Sequence, residues 1–150
     1  MAHFAICCPP LPGHINPMTV LARELVERGH RATFLGFPDM RARLAEDLEF
    51  VSFGEAGRPL GSLQPYLDRL SRLGGPLSLR RLILDLADFT ETICRDLPAA
   101  LERLRPDFMI IDQADAASSL VASGLAIPFV NVANALPLNV EPGVPPPVLP

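Results

Sequence analysis

Apolar positions along the chain change period several times, and the changes mark out its elements. "HFAICC" (3–8) is a short apolar run of strand type, and so are "RATFLG" (31–36), "EFVSFG" (49–54), "DFMIID" (107–112) and "PFVNVA" (128–133). Between the first two, Met18, Leu21, Ala22, Leu25 and Val26 recur at helical spacing, while Arg23, Glu24, Glu27 and Arg28 take the other face. This predicts a helix over 17–28, with Asn16 as N-cap, Pro17 as first helical residue and Gly29 as the stop. A short helical piece is expected at 39–47 and another at "LQPYLDRLSRL", inside an irregular stretch punctuated by glycine and proline. A long helix is expected at 78–104, with Leu79, Leu82, Ile83, Leu86, Phe89, Ile93 and Leu97 on one face and a kink or restart at Pro98. "ADAASSLVASG" (114–124) reads as a small-residue helix.

Strands alternating with helices, without an internal repeat, predict an α/β fold: a Rossmann-like, doubly wound parallel sheet with helices on both faces. Right-handed crossovers leave two common strand orders, 3-2-1-4-5 and 2-1-3-4-5, and the first is favoured here. In that order the first strand lies beside the fourth, and winding reverses between them.

The chain has 150 residues, enough for one domain with a real core. Its net charge of -4 and pI near 5.3 lack the basic footprint of a nucleic-acid binder. Three cysteines without C-x-x-C spacing predict buried hydrophobes in a reducing, cytoplasmic setting, since adjacent Cys7 and Cys8 face opposite sides of a strand. No apolar stretch is long enough for a signal peptide or a membrane span. The 17 prolines are about twice the average share, and six fall in the last fourteen residues. That tail, 137–150, is read as an extended crossing segment or linker.

Ligands of open parallel sheets bind beyond the carboxyl ends of the strands, at the reversal point. Two loops flank it, "PPLPGHINP" and "DQAD". In the first, prolines stop the strand, Gly13 is expected to permit a tight turn, and His14 is left beside a helix N-terminus. That end of a helix favours the uncharged imidazole, the form that accepts a proton. Asp112 ends the fourth strand at the same rim, where a carboxylate would fix the ring's tautomer. Read from the residues alone, the pair also fits an ordinary surface histidine and a helix-capping acid; Asp115 is assigned a structural role at the next helix start. Ser118 and Ser119 lack a nucleophile elbow, and neither G-x-G-x-x-G nor a P-loop is present.

"GHINPMTVLARELVERGHRATF" resembles the opening of the nucleotide-sugar-dependent UDP-glycosyltransferase superfamily, which has the two-domain GT-B fold. G-H-x-x-P, the helix ending E-R-G-H-x-A-T-F and "PDFMIIDQ" match in order, and the tail "NALPLNVEPGVPPP" looks most like bacterial zeaxanthin (carotenoid) glucosyltransferases. The resemblance implies that residues 1–136 form an incomplete acceptor-binding domain, with 55–77 as its variable segment. His14 would deprotonate an acceptor hydroxyl and Asp112 would pair with His14. Sugar transfer would invert the anomeric carbon by direct displacement, with no cofactor or obligatory metal. The donor would be a nucleotide-sugar of UDP-glucose type, held by a C-terminal domain that these residues lack, on the same or a separate chain. Gly13, Gln113 and Asn134 are the candidate substrate-binding residues. Apolar walls from 55–97 suit a carotenoid or polyketide alcohol, and a carotenoid acceptor implies peripheral membrane association. The rival readings are a non-catalytic small-molecule or nucleotide-binding domain working with a partner chain, and an oxidoreductase disfavoured by the missing glycine fingerprint. An unpaired sheet edge is expected to promote self-association.

Overall fold

The computed structural model describes residues 1–72, 76–134 and 142–143. Strands β1 (His3–Cys7), β2 (Arg31–Gly36), β3 (Glu49–Ser52), β4 (Phe108–Asp112) and β5 (Phe129–Val132) form one parallel sheet in the order β3-β2-β1-β4-β5. Both the parallel sense and the favoured order are as expected. The register aligns Cys7 with Leu35 on one side and with Ile111 on the other, so the carboxyl ends of β1 and β4 open at one rim.

Alternation along the strands divides the core into two layers. Ala5, Cys7, Leu35, Met109 and Ile111 face the layer that also holds Ile93, Leu97, Leu101 and Val121. Those four come from helices α3 (Pro76–Leu104) and α4 (Ala116–Gly124). Ile6, Cys8, Phe34 and Ile110 face the opposite layer, packed by Ile15, Met18 and Ala22 of α1 (Pro12–Glu27) and by Met40 of a 3-10 turn, Pro38–Arg43. Helices therefore cover both faces, and Cys7 and Cys8 are buried on opposite sides of the sheet.

Several boundaries differ from the sequence reading. Helix α1 begins at Pro12 rather than Pro17, and Leu11, not Asn16, is its N-cap. The Leu11 carbonyl already accepts from the amides of His14 and Ile15, at 3.0 and 2.9 Å. Pro12 starts the helix at no cost because an N–H in the first turn has no helical partner to lose. Pro17 is then an interior residue, and His14 sits in the first turn instead of a loop. Gly13 is helical and open on its Cα side, so no tight turn requires it.

The other end is as expected: Gly29 has φ +81°, and the His30 amide reaches back to the Leu25 carbonyl at 3.0 Å. The piece expected at 39–47 is the short 3-10 turn, β3 stops at Ser52, and α3 runs through Pro98 without a break. Val26, Leu82, Ile83 and Leu86, expected on apolar helix faces, are exposed. The assignments to Leu79's side chain and to most of the tail fall outside the described residues.

Candidate acceptor site at the sheet reversal

The reversal between β1 and β4 brings α1's first turn against the end of β4. Asp112, the last residue of β4, is fully buried. Its Oδ1 accepts from the Ala114 amide at 2.8 Å. Its Oδ2 lies 2.7 Å from His14 Nδ1 and accepts from Asn134 Nδ2 at the same distance. A buried carboxylate demands such donors, because ionised oxygens removed from water are costly without them. An ionised carboxylate only accepts, so His14 must carry its proton on Nδ1. The Nε2 lone pair is then left outside that pair, on a ring that is partly exposed.

His14 lines a cavity of about 340 Å³. Its walls are apolar and come from every surrounding element. The loop after β1 gives Pro9 and Pro10, the turn after β2 gives Phe37 and Met40, and Phe53 follows β3. Helix α2 (Leu63–Ser71) contributes Leu63, Tyr66 and Leu67, and α3 contributes Leu82, Leu86, Phe89 and Ile93. Only a few polar side chains reach it, chiefly His14, Tyr66 and Asp115. Apolar walls with a few convergent polar groups are the usual composition of a small-molecule site.

Two local devices hold the α2 wall, and neither is visible as a sequence pattern. Asp39, in the 3-10 turn, accepts from the backbone amides of Gly61 and Leu63 at 2.7 and 2.9 Å, pinning the start of α2. Arg58 lies over the Phe89 ring at 3.7 Å and pairs with Asp88, tying the segment after β3 to α3. The turn between them needs Gly54 at φ +76°, where a Cβ would come within 2.8 Å of Phe37.

Of the five residues singled out from the sequence, the structure brings His14, Asp112 and Asn134 together. The Asn134 amide is directed at the Asp112 carboxylate. Gln113 lies beside the cluster, and its backbone amide donates to Val132. Neither Gly13, Gln113 nor Asn134 lines the cavity. Asp115 does more than expected: it caps α4 through Ser118, whose amide and hydroxyl it accepts at 3.0 and 2.7 Å, and it also borders the cavity. Burial holds its carboxyl above the ordinary range, against the opposing effect of those Ser118 hydrogen bonds. Burial likewise pushes the Cys8 thiol up, with the nearby Asp112 and Asp115 charges adding to the effect, so Cys8 is an inert wall residue. Among the described residues no group of three or more His, Cys, Asp or Glu side chains is placed to hold a metal ion.

No protein-family model matches the chain. Over its whole length it is 42% identical to a zeaxanthin glucosyltransferase of Pantoea ananas and to another of Pseudescherichia vulneris. It spans 35% of the length of each. A UDP-glycosyltransferase of Arabidopsis thaliana is 31% identical over 107 residues, 68% of this chain and 22% of that protein. Among solved structures, a glycosyltransferase of kitacinnamycin superposes with a TM-score of 0.65 at 25% identity, over 91% of this chain and 31% of that one. The calicheamicin glycosyltransferase CalG4 shares the fold, with a TM-score of 0.65 at 22% identity, over 87% of this chain and 32% of that one. Whole-chain identity to glucosyltransferases and a shared five-stranded parallel fold place this chain in the GT-B glycosyltransferases of the UDP-glycosyltransferase superfamily, corresponding to their N-terminal part.

Proposed function

We propose that this chain is the acceptor-binding part of an inverting hexosyltransferase, which moves a sugar from a UDP-glucose type donor to a hydroxyl of an apolar acceptor. The observation that carries the reading is the His14 ring, held by a buried carboxylate at Nδ1 and lining an apolar cavity.

An alcohol is a weak nucleophile until a positioned base takes its proton. His14 Nε2 would receive that proton as the acceptor oxygen attacks the anomeric carbon. The bond from that carbon to the donor's diphosphate breaks in the same displacement, and its electron pair leaves with the diphosphate. Asp112 stabilises the imidazolium that forms, and Asn134 with the Ala114 amide keeps the carboxylate oriented. Direct displacement inverts the anomeric centre and requires no carboxylate nucleophile on the opposite face of the sugar. The zeaxanthin glucosyltransferases among the relatives support an apolar alcohol as acceptor and glucose as the sugar. The donor's diphosphate would be bound by a further domain, on the same polypeptide or a partner.

The test is turnover of zeaxanthin with UDP-glucose by the full-length polypeptide that carries this segment. His14→Ala should lower kcat by at least ~100-fold, the scale of losing a general base. Unchanged turnover would remove His14 from the chemistry, and absence of any sugar transfer by the parent would favour the non-catalytic binding module.

A further inference from the structure

Next to the acceptor cavity lies a second, smaller recess of about 10 Å³, the space of a single water-sized group. It shares Pro10, Tyr66 and Phe89 with the cavity, so the two adjoin. Every wall that it adds is polar: Asp39, Arg58 and Ser62. The apolar lining of the cavity gives way here to an acid, a guanidinium and a hydroxyl.

The Arg58 side chain is only 13% exposed. Its guanidinium lies between two rings, 3.7 Å from the Phe89 centroid and 5.8 Å from that of Tyr66, and pairs with Asp88 through Nη2. Its Nε is buried and has no hydrogen-bond partner among the described residues. Such an unmet donor is costly, and an arginine cannot shed the proton. Asp39 is its chemical opposite. Its Oδ1 accepts from the Gly61 amide, and its Oδ2 from the Leu63 amide and, at 3.4 Å, from the Ser62 hydroxyl. A carboxylate oxygen can take two donors, so Oδ1 keeps room for one more. The recess therefore offers a donor from Arg58 and an acceptor from Asp39, with Ser62 able to act as either. A hydroxyl satisfies both, because its one oxygen accepts and donates. A carbonyl has no proton for Asp39, a carboxylate is repelled by Asp39, and an ammonium is repelled by Arg58.

We propose that this recess is a subsite for a second hydroxyl, so that the site favours compact apolar diols over mono-alcohols of the same skeleton. The proposal rests on the reading of the adjoining cavity as the acceptor site. One hydroxyl of the diol faces His14, and the other accepts from the Arg58 guanidinium and donates to Asp39. The apolar body between them lies against Tyr66 and Phe89, which wall both spaces. A cavity of about 340 Å³ is at the small end of ligand sites, so both hydroxyls belong to one compact part of the acceptor. An acceptor with a single hydroxyl in reach leaves Arg58 and Asp39 to a water, whose hydrogen bonds are nearly as good. The subsite therefore sharpens selection among acceptors instead of deciding whether they bind.

The experiment measures dissociation constants by calorimetry on the full-length polypeptide without a sugar donor, so its outcome is separate from that of the transfer assay. Cyclohexanol, decahydro-2-naphthol and 4-cyclohexylcyclohexanol are compared with cyclohexane-1,4-diol, decahydronaphthalene-2,6-diol and 4,4′-bicyclohexanol, which carry the second hydroxyl at increasing distance. One of the diols should bind about 10-fold tighter than its mono-alcohol, the scale of a charge-assisted hydrogen bond that replaces an ordered water. That gain exceeds the doubling that two equivalent hydroxyls give. The corresponding keto-alcohol should lose it. Arg58→Lys keeps a positive charge beside Phe89 and Asp88 but removes the guanidinium donors, and should bring the diol and its mono-alcohol to within that doubling. Circular dichroism checks that the variant is folded, and if it is not, the ligand series on the parent still decides. No preferred diol, a keto-alcohol bound as tightly as the diol, or a preference untouched by Arg58→Lys would overturn the proposal. So would absence of binding by every alcohol in the series. A diol preference that Arg58→Lys abolishes, together with no sugar transfer to zeaxanthin, would overturn the transfer reading and leave the subsite standing.

Discussion

Replacing Asp112 by Asn separates orientation of His14 from simple loss of a charge. The carboxylate faces three donors: the Ala114 amide on Oδ1, and His14 Nδ1 and Asn134 Nδ2 on Oδ2. An asparagine at this position has one accepting oxygen and one donating NH₂. The Ala114 amide is backbone and cannot reverse, so the oxygen stays toward it and the NH₂ takes the place of Oδ2. Asn134 can accommodate this by turning its own amide. His14 can accommodate it only by accepting at Nδ1, which moves its proton to Nε2. The ring then offers the cavity an N–H where a lone pair is needed. Stability should change little, since each buried polar group keeps a partner. Turnover should fall by about 10²–10⁴-fold, the range for a mispositioned or absent general base. The assay is kcat of the full-length enzyme, with nitrogen chemical shifts of the His14 imidazole reporting the tautomer. In a His14→Ala background the Asp112→Asn change should cost almost nothing more, because the two act as one unit. Full additivity of the two losses, or normal kcat with the tautomer reversed, would refute the reasoning.

Other consequences follow from packing and titration. Leu97→Ala, which empties a fully buried position on α3, should lower unfolding stability by about 2–5 kcal/mol. Ile83→Ala on the same helix should change it by less than about 0.5 kcal/mol, and urea unfolding midpoints distinguish the two. Asp115 adds a pH dependence of known sign. Burial raises its folded carboxyl pKa above the unfolded one, so the folded state holds the proton longer and stability is lost as pH rises from the ordinary carboxylate range through the raised value. Asp115→Asn keeps an N-cap for α4 and should remove that loss, gaining on the parent as pH rises above the ordinary carboxylate range; a gain confined to pH below that range would contradict it.

The sheet was legible because buried parallel strands are short apolar runs and the crossover rules leave few orders. The long, strongly periodic parts of α1 and α3 were legible for the same kind of reason. The start of α1 was not, since two prolines, Pro12 and Pro17, each suit a first helical position and only the Leu11 carbonyl's hydrogen bonds decide between them. Ile83 and Val26 fit the helical period but fall at the edge of each apolar stripe, where a small rotation decides burial. His14 and Asp112 could be paired from topology, because both follow from adjacent strands at the reversal. Asn134 as a holder of the carboxylate, and Asp39 and Arg58 as braces of the cavity wall, could not. Each acts across a sequence gap that no local pattern encodes.

The central claim is that His14 Nε2 faces the reacting hydroxyl. A crystal structure of the full-length protein with an acceptor alcohol bound would test it most directly. The hydroxyl oxygen is expected about 2.6–3.2 Å from His14 Nε2, with the apolar body of the acceptor between α2 and α3. An acceptor seated elsewhere, or a His14 ring whose Nε2 is turned away from the bound hydroxyl, would contradict it.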